Sequence, residues 1–314
     1  MAVAEIARAD HRIDVGEGLI TAVTVIAAPA LVAAAEREIV VFAFPGGGYG
    51  RRYFDLQLGG YDTSGDYSQA EHHAARGLVV VACDHLGCGE SDGAPGLTLE
   101  RIVAANVATV AEMRRRLAEG KAAPGLAPIR TSLAIGIGQS MGGCFTIAAQ
   151  GRHRCFAAVA ILGYSAHQTV VPVPPGIAPG TFSLDVARYA WHWEDVPKPL
   201  VALDVPDYAV PHDGSALPPR RSATVPEIAV DLLQPGYVGT EAAAIDVPVF
   251  VAAGDRDVVP DLYAEPTAYR AARDVTLYRQ PRAAHMHNFA GTRALLWDRL
   301  ASWYETCAAL EQSA

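Results

Sequence analysis

Residues 134–145 read AIGIGQSMGGCF. An apolar run ends in Gly138-Gln139-Ser140-Met141-Gly142, and Gly143 follows. A serine between glycines at such a place has three readings: a phosphate-binding turn, a helix cap, or a nucleophile on a sharp bend. The phosphate reading fails on the residues. Gly136-x-Gly138 starts a dinucleotide pattern, but Met141 stands where the third glycine belongs. No acidic residue is well placed about 20 positions later, and Gly-Lys-Ser/Thr is absent. A cap alone does not require the flanking glycines. Gly-x-Ser-x-Gly between a strand and a helix forces a tight, strained turn that lifts the serine hydroxyl into the open. The same turn puts the serine at a helix N-terminus, where backbone N–H groups face a developing anion.

The flanks supply the strand and the helix. TSLAIGIG (131–138) is a short apolar run typical of a strand buried on both faces, and a helix is predicted from about 141 to 151. Similar strands are predicted at 18–28, 37–44, 77–84, 155–162, 246–254 and 274–280. Helices are predicted at 98–120, with Thr98 as N-cap and Gly120 as stop, and at about 292–310. Strands alternating with helices predict an α/β fold, a mainly parallel central sheet with helices on both faces. The alternation breaks at 164–244, which holds 12 of the 21 prolines. Proline removes backbone donors, so this stretch is expected to be an inserted cap of loops and short helices. The core is then 1–163 with 245–314. Tyr49, Trp191, Trp193, Tyr208 and His287 are candidate pocket residues.

A serine hydroxyl is a weak nucleophile and needs a base, which in turn needs an orienting acid. Both follow downstream. VPVFVAAGDRDVVP ends a predicted strand at Gly254 and puts Asp255 and Asp257 on the next loop. Asp257 is taken as the acid and Asp255 as a loop cap. The slot after the preceding strand reads Gly163-Tyr164-Ser165 and has no carboxylate. QPRAAHMHNFAGTR follows the last predicted strand; His285, nearer the strand end, is taken as the base. FAFPGGGYG (42–50) places glycines directly after a strand, where backbone N–H groups can face substrate. Gly47 and Met141 are the expected oxyanion donors, with Gly48 the alternative to Gly47.

Taken together, FPGGGYG, DHLGCGESD (84–92), GQSMGG (138–143), GDRDVVP (254–260) and AAHMHNF (283–289) resemble the α/β-hydrolase fold superfamily over about residues 20–310. The resemblance implies a capped, cofactor-free serine hydrolase, among esterases, lactonases and carbon–carbon bond hydrolases. It implies that the stretch from Asp84 to Ser91 is a structural loop beside the site. Dehalogenases and epoxide hydrolases of this fold carry an aspartate where this chain has Ser140. One departure stands out: many members have histidine at the position of Pro45, a side chain that often braces the oxyanion loop.

The expected reaction is hydrolysis of a carboxylic ester or lactone, with a small hydrophobic substrate and no metal or organic cofactor. Carbon–carbon cleavage with the same residues is the alternative. A catalytically inactive, ligand-binding member is disfavoured because serine, aspartate and histidine are all present. The net charge of −9 argues against a nucleic-acid surface, and the basic run Arg114–Arg116 fits a solvated helix face. Five cysteines without metal-type pairs suggest reduced thiols and a cytoplasmic protein. No secretion signal and no membrane span are expected.

Overall fold

The computed structural model describes residues 5–58, 67–205 and 221–311. Its elements run β1 (Ala7–Asp14), β2 (Ile20–Ala27), α1 (Pro29–Ala34), β3 (Ile39–Phe44), α2 (Gln69–Ala74), β4 (Val79–Cys83), α3 (Leu99–Ala118), β5 (Leu133–Gln139), α4 (Met141–His153) and β6 (Ala158–Leu162). They continue with α5 (Leu184–Trp191), α6 (Lys198–Asp204), α7 (Gly239–Ala244), β7 (Val249–Gly254), β8 (Val275–Gln280) and α8 (Arg293–Glu311). All the strands join one sheet in the order β1-β2-β4-β3-β5-β6-β7-β8. The pairs β1–β2 and β2–β4 are antiparallel; from β4 to β8 every neighbouring pair is parallel.

The parallel strands are apolar because helices cover both their faces. In β3, Val40, Phe42 and Phe44 enter the core layer under α3 and α4, while Ile39, Val41 and Ala43 enter the layer under α2 and α8. Successive side chains of a strand point to opposite faces, so one apolar run feeds two cores. Helix α3 buries Ile102, Val103, Val110, Met113 and Leu117, and its Thr98 cap accepts from Arg101 N. Strand β1 is absent from the sequence reading. Its segment ARADHRID buries only Ile13 fully, because it lies at the sheet edge and turns one polar side to solvent.

Among the described residues between β6 and β7 the helices are short, as the prolines require. Ser183 caps α5, and Pro199 sits in the first turn of α6, where its missing N–H costs nothing. Helix α7, inside the span expected to be insertion, packs on α4: Arg152 pairs with Glu241 at 2.6 Å. Among the described residues no helix is long and apolar enough to cross a membrane. The parallel strands share one C-terminal edge, so the loops after β3, β5, β6, β7 and β8 gather there, the usual place for a site in open α/β sheets.

Candidate active site

Ser140 sits between β5 and α4 with φ 54° and ψ −120°, a backbone state that costs a non-glycine residue about 1–3 kcal/mol. The surroundings hold it there. Ser140 N donates to Leu162 O of β6 at 2.8 Å, and Ser140 O accepts from Gly143 N and Cys144 N. The flanking glycines are dictated by contact. A Cβ on Gly138 would stand 2.2 Å from Gly142 O, and one on Gly142 would stand 2.1 Å from Phe44 O. The elbow is therefore wedged beneath the start of the glycine loop, with Ser140 partly exposed above it.

Asp257 and His285 come together from the loops after β7 and β8. His285 Nδ1 donates to Asp257 Oδ1 at 2.7 Å, which leaves Nε2 with the lone pair a base needs. Asp257 is further fixed by Gly254 N on Oδ2 and Val258 N on Oδ1. His287, two residues past the base, donates from Nε2 to Asp257 Oδ2 at 2.7 Å. Burial alone would raise the Asp257 carboxyl. The imidazoles of His287 and His285, with their hydrogen bonds, outweigh it and hold the group well below the usual carboxylate range. Gly163 explains the empty alternative acid slot: it has φ +60°, and a Cβ there would lie 3.0 Å from His285 Nδ1 and 3.2 Å from His287 Cε1.

Ser140 and His285 are not hydrogen-bonded to each other. Ser140 Oγ makes no hydrogen bond among the described residues. His285 Nε2 instead lies 3.4 Å from Gln139 Nε2, whose amide also donates to His285 O at 3.1 Å. Gln139 Oε1 is buried without a partner, beside Gly46. Catalytic contacts are often long without substrate and tighten only in the complex.

On the opposite side stands the glycine loop. A Cβ on Gly46 would lie 3.1 Å from Ser140 Cβ, and one on Gly47 would lie 3.7 Å from Met141 Sδ. Neither Gly47 N nor Met141 N donates to any group among the described residues, so both amides remain available beside the elbow. The carbonyl of Pro45, at the start of the glycine loop, is held by His85. His85 Nε2 lies 3.0 Å from Pro45 O, and its Nδ1 lies 3.0 Å from Asn106 Nδ2. The ring stacks on Phe44 and meets Phe145 edge-on. Desolvation by burial lowers its pKa to about 4. The stretch from Asp84 to Ser91 thus lies beside the glycine loop, in keeping with the structural part that the resemblance implies for it. The brace comes from the strand next to β3, and only the parallel register of β3 and β4 brings it to Pro45.

The expected pocket residues are dispersed. Trp191 is beside the base, its ring 5.4 Å from that of His285. Trp193 instead lies over Arg256, which also stacks on Tyr189 and donates to the carbonyls of Tyr189 and His192. Tyr49 is buried, with Oη donating to Asp204 Oδ2 at 2.5 Å, and His287 is buried against Asp257. Tyr208 lies outside the described residues. Asp255 binds Arg279 Nε and Arg282 N, away from His285. Among the described residues no group of three or more His, Cys, Asp or Glu is arranged to hold a metal ion.

No family model matches the chain, and no curated protein matches it. Solved structures do. An esterase from Exiguobacterium antarcticum aligns with TM-score 0.64 at 15% identity, over 94% of this chain and 98% of that one. The 2-hydroxy-6-oxo-6-phenylhexa-2,4-dienoate hydrolase of Rhodococcus sp. aligns with TM-score 0.59 at 16% identity, over 97% and 100%. A haloalkane dehalogenase loop variant from Bradyrhizobium elkanii aligns with TM-score 0.60 at 12% identity, over 98% and 99%. The shared architecture is the α/β-hydrolase fold.

Proposed function

We propose that this α/β-hydrolase-fold protein is a serine hydrolase that cleaves a carboxylic ester or lactone. The observation that carries the reading is Ser140 on its strained elbow, at the N-terminus of α4, with its neighbour Gln139 against a formed His285–Asp257 pair. In the proposed cycle His285 Nε2 exchanges the Gln139 amide for the serine hydroxyl and takes its proton as Oγ attacks the carbonyl. Asp257 holds the imidazole in the required tautomer and stabilises its cation. The N–H groups of Gly47 and Met141 bind the oxyanion. The tetrahedral species collapses, the C–O bond breaks, and His285 returns the proton to the leaving alcohol. Water then attacks the acyl-enzyme by the same route and regenerates Ser140. Trp191, from helix α5, stands beside His285.

Carbon–carbon cleavage next to a ketone is the second reading, favoured by the likeness in fold to the Rhodococcus hydrolase. A serine at the elbow speaks against carbon–halogen chemistry through an aspartate. Intact-mass analysis after fluorophosphonate treatment tests the common core of both readings. One adduct on the wild type and none on Ser140→Ala is expected. No adduct on folded wild type, together with no turnover of small neutral esters, overturns it. Product analysis on paired ester and diketone panels then separates the two.

A further inference from the structure

A buried polar cluster joins the glycine loop to the β6–β7 segment, and the cycle above uses none of it. Tyr49 Oη and His192 Nε2 both meet Asp204 Oδ2, at 2.5 and 2.9 Å. Asp204 thus has at least these two donors. Arg221 is different. Its guanidinium lies over the Tyr49 ring, 4.4 Å from the centroid, and only partly exposed. Among the described residues no carboxylate pairs with it; Tyr49, through charge and a hydrogen bond, and Asp204, through charge alone, both favour its cation. A guanidinium held largely out of water, with no carboxylate on its planar donors among the described residues, is a binding group for a carboxylate.

Its position is fixed by backbone, not by chance. Tyr49 and Arg221 form an antiparallel bridge, and Ser222 N donates to Gly48 O at 3.0 Å. Ser222 Oγ is locked in turn by Gly89 N and Thr224 O. The glycine loop is therefore a ruler. Gly46 faces Ser140, Gly47 faces Met141 and Val225, and Gly48 faces Arg221, whose Nη2 would stand 3.4 Å from a Cβ there. Two Cα steps separate the serine end from the arginine end, at most about 7.6 Å of Cα trace. Between them lie apolar groups, Val225 and Met141.

We propose that Arg221 is an anion subsite at the far end of the glycine loop, and that the substrate is an ester or lactone bearing a carboxylate a few bonds from the carbonyl that Ser140 attacks. This refines the expected small hydrophobic substrate: an apolar body with one acidic end. It rests on the serine-hydrolase reading, so the test separates the two.

Monomethyl and dimethyl esters of succinic, glutaric and adipic acids are compared by kcat/KM on wild type, Arg221→Gln and Arg221→Lys. The ratio of monoester to diester is the readout, because any general damage to the enzyme cancels in it. For at least one chain length the wild type is expected to favour the monoester by about tenfold or more. Arg221→Gln is expected to lower that ratio about 10- to 100-fold, with Arg221→Lys between the two, the range spanned by hydrogen bonds to charged groups. A wild type that turns over both esters without preference overturns the proposal, as does a ratio unchanged in Arg221→Gln. If neither ester is turned over, calorimetry with glutarate decides. Binding to wild type that is lost in a folded Arg221→Gln upholds the subsite, and absence of binding to wild type overturns it. Failure of fluorophosphonate labelling at Ser140 counts against the hydrolase reading alone.

Discussion

His287 Nε2 sits 2.7 Å from Asp257 Oδ2, on the carboxylate oxygen that His285 leaves open. One acid thus holds two imidazoles, one on each oxygen. Only His285 has its other nitrogen near Gln139; His287 Nδ1 is buried without a hydrogen-bond partner among the described residues. His287 is accordingly a positioning residue for Asp257. His287→Leu is expected to lower kcat on the order of tenfold and stability by about 1.5–3 kcal/mol, the worth of one hydrogen bond to a charged group. His287→Gln, which keeps a donor, is expected to recover most of both. Equal activity in the Leu and Gln variants would remove this role.

Ser140→Ala and His285→Ala are each expected to lower kcat by about three orders of magnitude or more on any ester the wild type hydrolyses. The double variant is expected to lose little beyond either single one, because the two act as a unit. Steady-state rates on purified, folded proteins check this. Additive losses would mean that they do not share one step.

The elbow predicts a sharp contrast between glycines. Gly142→Ala drives a Cβ to 2.1 Å from Phe44 O, a backbone atom that cannot step aside. Gly47→Ala meets only ordinary contacts at 3.7 Å and keeps its N–H. Gly142→Ala is expected to abolish soluble expression or lower Tm markedly. Gly47→Ala is expected to fold with stability within about 1 kcal/mol of wild type. Similar melting curves for the two would contradict the wedge beneath the loop.

Acid stability follows from two buried histidines. Burial lowers His85 to about 4 and His73 to about 3, against an ordinary value of 6.5. The unfolded chain binds these protons below about pH 6.5 and the folded chain does not. Their stabilisation is therefore complete above that pH and is lost as pH falls from 6.5 toward 4 and 3. The loss is on the order of 3 kcal/mol for His85 alone, at 1.36 kcal/mol per unit. Urea midpoints are expected to fall steadily between pH 7 and 4.5, and His73→Gln is expected to flatten that slope. Midpoints independent of pH over this range would refute the assignment.

The buried parallel strands were legible because an element covered on both faces must be apolar throughout, as β3 (IVVFAF) and β7 (VFVAAG) are. Strand β1 was not, since an edge strand with a solvated side needs only Ile13 in the core. The pocket residues were the least legible. Aromatic content marked Trp191 and Trp193 alike, yet one stands beside His285 and the other stacks on Arg256, and nothing in their spacing separates them.

The chain by itself determined the alternation of strand and helix, the glycine elbow, and an aspartate and a histidine on loops after later strands. These are local matters: periodicity, steric demand at a bend, and position at a strand end are written in neighbouring residues. Tertiary structure alone decided which groups meet across the strand edge. It brought His85 to the carbonyl of Pro45, His287 to the second oxygen of Asp257, and Arg221 onto the face of Tyr49. Each pair is far apart in the chain or hidden in loop geometry. Only the order and register of the strands, and the return of the β6–β7 segment along the glycine loop, set those distances.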